Sequence, residues 1–289
     1  MAGDEVLATV PALEPPPPRA KLDRGMSILD SKERFSATAG LYARWRPTYP
    51  EALRDFLIGL LPPVEERPGR RPAVIADLGC GTGISTRFLA APDRRLIGIE
   101  PNADMLAEAR RTTPPELAID YRGGEAAATG LPAASVDLVV AGQAFHWFDL
   151  EPTCAEIRRI LIPAGFAAAF WNVRDEASSP LNVEYRALLE RSSIEYEKAA
   201  KAEPTITRIL AAAAVTDLRR AEFTHRQELD REGFFGRAYS SSYVMHGVPE
   251  TARPAFDAEL DRLFARHAAG GRVELPYRTL AIAFRLRRD

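Results

Sequence analysis

The stretch VIADLGCGTGIST, residues 74–86, decides the fold. Val74, Ile75, Ala76 and Leu78 form a short apolar run of the kind that fills a central parallel strand, and Ile84, Phe88 and Leu89 then recur at helical spacing. Gly79, Gly81 and Gly83 crowd the five positions between them. Glycine admits left-handed backbone and carries no Cβ, so the segment predicts a strand, a tight turn and a helix, with room for a ligand against the main chain at the turn.

Working outward, β and α signals alternate: strand 74–78, helix 84–91, strand 95–100, helix 102–112, strands near 118–122 and 136–142, helix 153–161 and strand 165–172. Such alternation predicts a doubly wound α/β sheet with parallel strands. Two helices precede it, one carrying Phe35, Ala39 and Tyr42, the other Leu53, Phe56, Leu57 and Leu60, separated by Pro47 and Pro50. After residue 172 the pattern turns helical, with Tyr185, Leu188 and Leu189 on one helix and Phe256, Leu260, Leu263 and Phe264 on another. AEFTHRQEL (221–229) and ELPYRTLAIAFRLR (274–287) read as two late strands. The expectation is a mostly parallel seven-stranded sheet with N-terminal helices and a helical lid inserted in the later half. Residues 1–30, which include Pro15 to Pro18, read as a flexible tail. Residues 31–289 read as one domain, with a cofactor-binding half over about 31–175 and substrate and lid elements over about 176–275.

Composition narrows the function. Lys and Arg (38) nearly balance Asp and Glu (40), a net charge of −2 that argues against nucleic-acid or anionic-membrane partners and for a small molecule. Cys80 and Cys154 are too few for a disulfide framework, which suits the cytoplasm. The N-terminus lacks the bases of a secretory signal, and no apolar run reaches the roughly 20 residues that span a bilayer. Four histidines and two cysteines are scattered without ligand spacing, so no metal is expected. A monomer or a homodimer is equally compatible.

The glycine spacing is G-x-G-x-G, with Ile84 where the dinucleotide fingerprint needs its third glycine. Asp77, two residues before Gly79, would repel a pyrophosphate and welcome a cation. S-adenosylmethionine fits, having an amino group, a sulfonium and no phosphate. Glu100 ends the second strand 21 residues after Gly79, where a carboxylate takes up ribose hydroxyls. Asn102 and Met105 follow where they could flank an adenine, and Glu125 with the Ala126 N–H lies where an adenine edge could be read. Cys80 stands in the cofactor loop as the small residue between two glycines rather than as a reactive thiol. In GQAFHWFD (142–149), Gln143, His146 and Trp147 follow the fourth strand and should face the transferred methyl group. His146 is either a base or acceptor-positioning group, or a hydrogen-bonded packing residue; both readings stay open. His225 and His267 read as structural.

These segments resemble the class I S-adenosylmethionine-dependent methyltransferases, specifically the small-molecule group that includes trans-aconitate methyltransferase-like proteins. The resemblance lies in YARWRPTYP (42–50), DLGCGTG (77–83), GIEPNADML (98–106), ATGLPAASVDLVVAGQAFHWFD (128–149) and LIPAGFAAAFWN (161–172), and more loosely in GRAYSSSYV (236–244). It implies that Asp77, Gly79 and Gly81 hold the methionine part, Glu100 the ribose, and Met105, Glu125 and Ala126 the adenine. It also places Tyr42, Arg46 and Tyr49 over the cofactor, Arg46 near the methionine carboxylate. These proteins usually carry an acid where this chain has Ala127. Tyr49, Trp147, Asn172, Ser241, Tyr243 and His246 are the candidates on the acceptor side. The implied activity is methyl transfer to a small organic acid or secondary metabolite, with O-, N- or C-methylation open. A binding protein that senses S-adenosylmethionine without turnover is the alternative. Nucleic-acid methylation is disfavoured, because no N/D-P-P-Y-type motif follows the fourth strand.

Overall fold

Strand β1 (Ala73–Leu78) is buried along its whole length in the computed structural model, which describes residues 39–196, 202–212 and 215–287. Its side chains alternate between two cores. Val74, Ala76 and Leu78 enter one with Ile97, Val139 and Ile157, whereas Ile75 enters the other with Leu53, Leu57, Phe166 and Phe170. A strand covered on both faces must be apolar throughout, which is why residues 74–78 read as a run rather than an alternation.

Around β1 the chain builds β2 (Arg94–Glu100), β3 (Asp120–Gly123), β4 (Val136–Gly142), β5 (Leu161–Arg174), β6 (Val215–Leu229) and β7 (Val273–Leu286). One seven-stranded sheet results, in the order β3-β2-β1-β4-β5-β7-β6. β1 to β5 pair in parallel, and β7 runs antiparallel to both β5 and β6. The order reverses beside β1, so the crevice between the carboxyl ends of β1 and β4 is the expected ligand position in such a sheet.

Helices α1 (Ala39–Trp45) and α2 (Glu51–Ile58) precede the sheet; α3 (Ile84–Phe88), α4 (Ala103–Thr112) and α5 (Leu150–Ile160) connect the parallel strands. Helices α6 (Pro180–Ser192) and α7 (Ala202–Ala212) separate β5 from β6; α8 (Arg231–Tyr239), α9 (Ser242–Met245) and α10 (Arg253–His267) separate β6 from β7. A third core joins all of these but α7, with Tyr185, Phe234, Phe256 and Leu260 packing on Leu275 and Tyr277, while Ala202, Ile206 and Ile209 of α7 enter the first core.

The expected architecture therefore holds, with altered bounds. β6 begins at Val215 rather than near 221, because its outer face is solvated: VTDLRR carries too many charges to read as a strand until β7 pairs with it. β5 starts at Leu161, directly after α5, and the extra residues are absorbed by a register shift against β4. α7 has no counterpart among the sequence expectations. The tail of residues 1–30 and Phe35 lie outside the described residues. No helix among the described residues is long and apolar enough to cross a membrane.

Candidate active site

After Leu78 the chain turns through Gly79, Gly81 and Gly83, whose φ angles of 66°, 55° and 79° are all left-handed. The Gly79 and Cys80 amides both donate to the Ile99 carbonyl, at 2.8 and 3.1 Å, which pins the turn against β2. A Cβ on Gly79 would stand 2.8 Å from that of Ala144. The Cys80 thiol is buried, and burial, reinforced by the charges of Asp77 and Glu100, pushes its pKa well above the usual value. Both effects disfavour the thiolate.

Two carboxylates flank this turn in different ways. Asp77 is fully buried; its Oδ2 accepts the hydroxyls of Ser85 (2.6 Å) and Thr86 (2.7 Å), while its buried Oδ1 has no hydrogen-bond donor. Burial lifts its pKa to about 6 against the opposing pull of those hydroxyls, and the Glu100 charge adds to the rise. Glu100 accepts the Gly81 amide at Oε2 and the Asn102 amide at Oε1, each at 2.9 Å. Burial raises its pKa too, opposed by the two amides. Each Glu100 oxygen keeps a second lone pair for a ligand.

A cavity of about 420 Å³ opens above the turn. Gly79, Cys80 and Gly81 line its floor, and Glu100, Met105, Glu125 and Ala126 one side. Tyr42, Arg46 and Tyr49 face them, and Gln143 and Trp147 stand at the end of β4. Tyr49 is held edge-on to Phe170, ring centres 4.8 Å apart. Gln143 adopts a left-handed backbone, φ 58°, fixed by its amide on the Phe170 carbonyl (2.8 Å) and its side chain on the Asn172 carbonyl (3.2 Å). A non-glycine residue is thus held against its preference beside the cavity.

Seven candidates do not line the cavity. Asp77 lies beneath the turn, and Asn102 caps α4 by accepting the Met105 amide (2.9 Å). Asn172 ties strands together, its Oδ1 taking the Thr279 hydroxyl (2.7 Å) and contacting His225 Nε2 (3.1 Å). Ser241 and Tyr243 meet arginines instead, Arg237 at 2.9 Å and Arg174 at 3.2 Å. His246 is exposed at the end of α9. His146 accepts the Trp171 indole N–H at Nδ1 (3.3 Å) and packs against Trp147, ring centres 4.9 Å apart. Burial, with the charges of Arg208 and Arg46, lowers its pKa to about 4.

Sequence reasoning missed Arg237, Asp149 and Thr153, all on the cavity wall. Arg237 left a signal: it follows Phe234 by three positions and precedes Ser241 by four, so it shares the inward face of α8, where a charge needs a reason. No cluster of three or more His, Cys, Asp or Glu able to hold a metal occurs among the described residues.

Residues 76–169 match the methyltransferase domain family. The chain is 30% identical to an uncharacterized methyltransferase of Schizosaccharomyces pombe, over 79% of this chain and 86% of that one. It is 31% identical to the nocamycin O-methyltransferase of Saccharothrix syringae, over 88% of this chain and 97% of that one. A candidate type II methyltransferase from Anaeromyxobacter dehalogenans shares the fold, with a TM-score of 0.58 at 24% identity over 83% of this chain and 96% of that one. Glycine turn, strand-end carboxylate and relatives agree: the chain belongs to the class I S-adenosylmethionine-dependent methyltransferases.

Proposed function

We propose that this enzyme methylates a small organic molecule inside the cavity described above, and that Glu100 is the group that seats the cofactor. The observation that carries the reading is the Glu100 carboxylate, immobilised by two backbone amides beside a turn whose left-handed glycines let a ligand touch the main chain. Those residues fit S-adenosylmethionine: Glu100 would take the ribose hydroxyls, Met105, Glu125 and Ala126 the adenine, and Arg46 the methionine carboxylate, with Tyr42 beside it. Asp77 contributes from beneath, as buried negative charge whose Oδ1 lacks a donor. When bound, the cofactor supplies a methyl carbon activated by the adjacent sulfonium.

The chain's own contribution is positioning. Gln143 and Trp147 border the acceptor end, Tyr49 walls it, and exclusion of water and fixed orientation supply the rate. The cavity's size and its apolar and polar lining support a small acceptor, as does the nocamycin-directed relative. Two buried, unpaired cysteines are consistent with the cytoplasm. Formation of S-adenosylhomocysteine across a panel of carboxylic acids, phenols and amines tests the reading. Tight cofactor binding with no turnover of any small acceptor, alongside methylation of a protein or nucleic acid, would refute it.

Two variants probe the residues. Glu100→Ala should weaken S-adenosylhomocysteine binding about tenfold, the cost of a charge-assisted hydrogen bond, readable by calorimetry. Unchanged affinity would move the ribose elsewhere. His146 is neutral above about pH 5 and its Nδ1 is already engaged, so it is poorly matched to proton transfer at neutral pH. His146→Ala should therefore lower kcat by less than about tenfold and leave the pH–rate profile unchanged in shape. A thousandfold loss together with a vanished ionisation would restore it as a base.

A further inference from the structure

We propose that the cavity wall opposite the glycine turn is an anion-recognition subsite for the methyl acceptor, built by Arg237 with Arg174 and Tyr243 behind it. The proposal rests on the methyl-transfer reading of the same cavity and names its substrate class: acceptors that carry a carboxylate or phosphate.

Three guanidinium groups converge here from separate elements: Arg46 after α1, Arg174 at the end of β5 and Arg237 on α8. Many other arginines of this chain meet carboxylates, as Arg231 meets Asp261 at 2.6 Å, while Arg67, Arg87 and Arg110 donate to carbonyl or hydroxyl oxygens nearer the surface. Arg46, Arg174 and Arg237 meet no carboxylate among the described residues. Arg46 donates to the Ser240 carbonyl (3.1 Å), and Arg237 to the Tyr277 hydroxyl (3.0 Å) and the Ser241 hydroxyl (2.9 Å). Arg174 donates to the hydroxyls of Tyr243 (3.2 Å) and Tyr196 (2.9 Å). None of the five acceptors is a carboxylate, and the Nε atoms of Arg46 and Arg174 are buried without any acceptor. Arg237 is only 5% exposed, yet it lines the cavity, and its Nη2 donates to no described residue.

Withdrawing three cations from water beside a single ionisable phenol is costly, and a bound anion would offset that cost. The clustered charge has a visible effect on its neighbour: burial would push the Tyr243 hydroxyl upward, but Arg174, Arg237 and Arg46 together hold its pKa below that of an ordinary phenol. The cofactor cannot be the whole answer. It brings one carboxylate, which Arg46 would engage, and arrives with two positive charges of its own. Arg237 is left to face the second ligand, and a guanidinium held at Nε by Tyr277 and at Nη1 by Ser241 offers its Nη2 in fixed geometry to an oxyanion.

Calorimetry on the full chain loaded with S-adenosylhomocysteine tests this, using benzoate, succinate and inorganic phosphate as probes and benzamide and succinamide as neutral counterparts. At least one anion should bind, any carboxylate about tenfold or more tighter than its amide. Arg237→Met should abolish that preference, Arg237→Lys should restore part of it, and the affinity for S-adenosylhomocysteine should stay within about twofold. Binding of no anion, equal binding of acids and amides, or a parallel loss of S-adenosylhomocysteine affinity in Arg237→Met would overturn the subsite. If the Met variant fails to fold, the acid-against-amide comparison on the wild-type protein decides alone. Failure of the wild-type protein to bind S-adenosylhomocysteine would instead remove the underlying reading, and the proposal with it.

Discussion

Gly79→Val is expected to reduce affinity for S-adenosylhomocysteine by about a hundredfold or more and to destabilise the fold by about 2–5 kcal/mol. Two costs combine. Position 79 has φ 66°, a left-handed conformation that a β-branched side chain resists. The new Cβ would also stand 2.8 Å from Ala144 Cβ and 3.2 Å from the Phe148 ring, both held in the core that closes over the end of β4. Relief requires the turn to move away from β2, which breaks the paired amides on the Ile99 carbonyl and carries the Gly81 amide off Glu100. The floor of the cavity and the anchor of its carboxylate are therefore lost together. Thermal melting should fall by roughly 5–15 °C for a chain of this size. A folded Val variant that binds S-adenosylhomocysteine like the wild type would show that the ligand does not lie on this turn.

Asp77→Asn should act in opposite directions on stability and on binding. The unfolded chain loses the Asp77 proton near 3.8 and the folded protein near 6, because the buried carboxylate is paid for in desolvation. Between those values the folded state holds a proton that the unfolded state lacks, so this group's contribution to stability falls as pH rises from about 4 to 6 and is constant above. The full cost is about 3 kcal/mol at pH 7. Asparagine can still accept the Ser85 and Thr86 hydroxyls through its carbonyl, and its NH2 would occupy the side where Oδ1 now lacks a donor. The stability difference between variant and wild type, followed by denaturant melts, should thus grow in favour of the variant by up to about 3 kcal/mol between pH 4 and pH 7. Affinity for the cationic cofactor should drop, by about tenfold, and lose the rise between pH 5 and 7 that ionisation of Asp77 gives the wild type. A pH-independent difference in stability would mean that Asp77 titrates as an ordinary surface acid.

Much of this molecule is legible without coordinates, and the reasons are local. An apolar run, three glycines at alternate positions and a helical period can be satisfied only by strand, turn and helix, and repetition of that unit commits the chain to a doubly wound sheet. Glu100 belongs to the same class of signal, because the end of a strand beside the glycine turn faces the crevice whatever the rest of the chain does. The cavity-lining positions Gly79, Gly81, Met105, Glu125 and Ala126 all follow from strand ends in this way.

What depends on side-chain direction or on contacts distant in sequence was decided only in three dimensions. Asp77 and His146 stand at motif positions expected to face the ligand, yet Asp77 turns beneath the loop to Ser85 and Thr86, and His146 turns to Trp171, 25 residues away. A side chain at a strand end has several rotamers, and the nearest strong partner selects among them. The late helices are the extreme case. Arg237 reaches the cavity because α8 packs on β7 through Tyr277, a pairing 40 residues apart that no local period encodes. The sequence by itself therefore determined the fold and the glycine turn with its strand-end carboxylate, through short-range periodicity and backbone freedom. Arg46, Arg174 and Arg237 come together only once the tertiary structure has drawn α1, β5 and α8 into contact, because charges that far apart along the chain become neighbours only through packing.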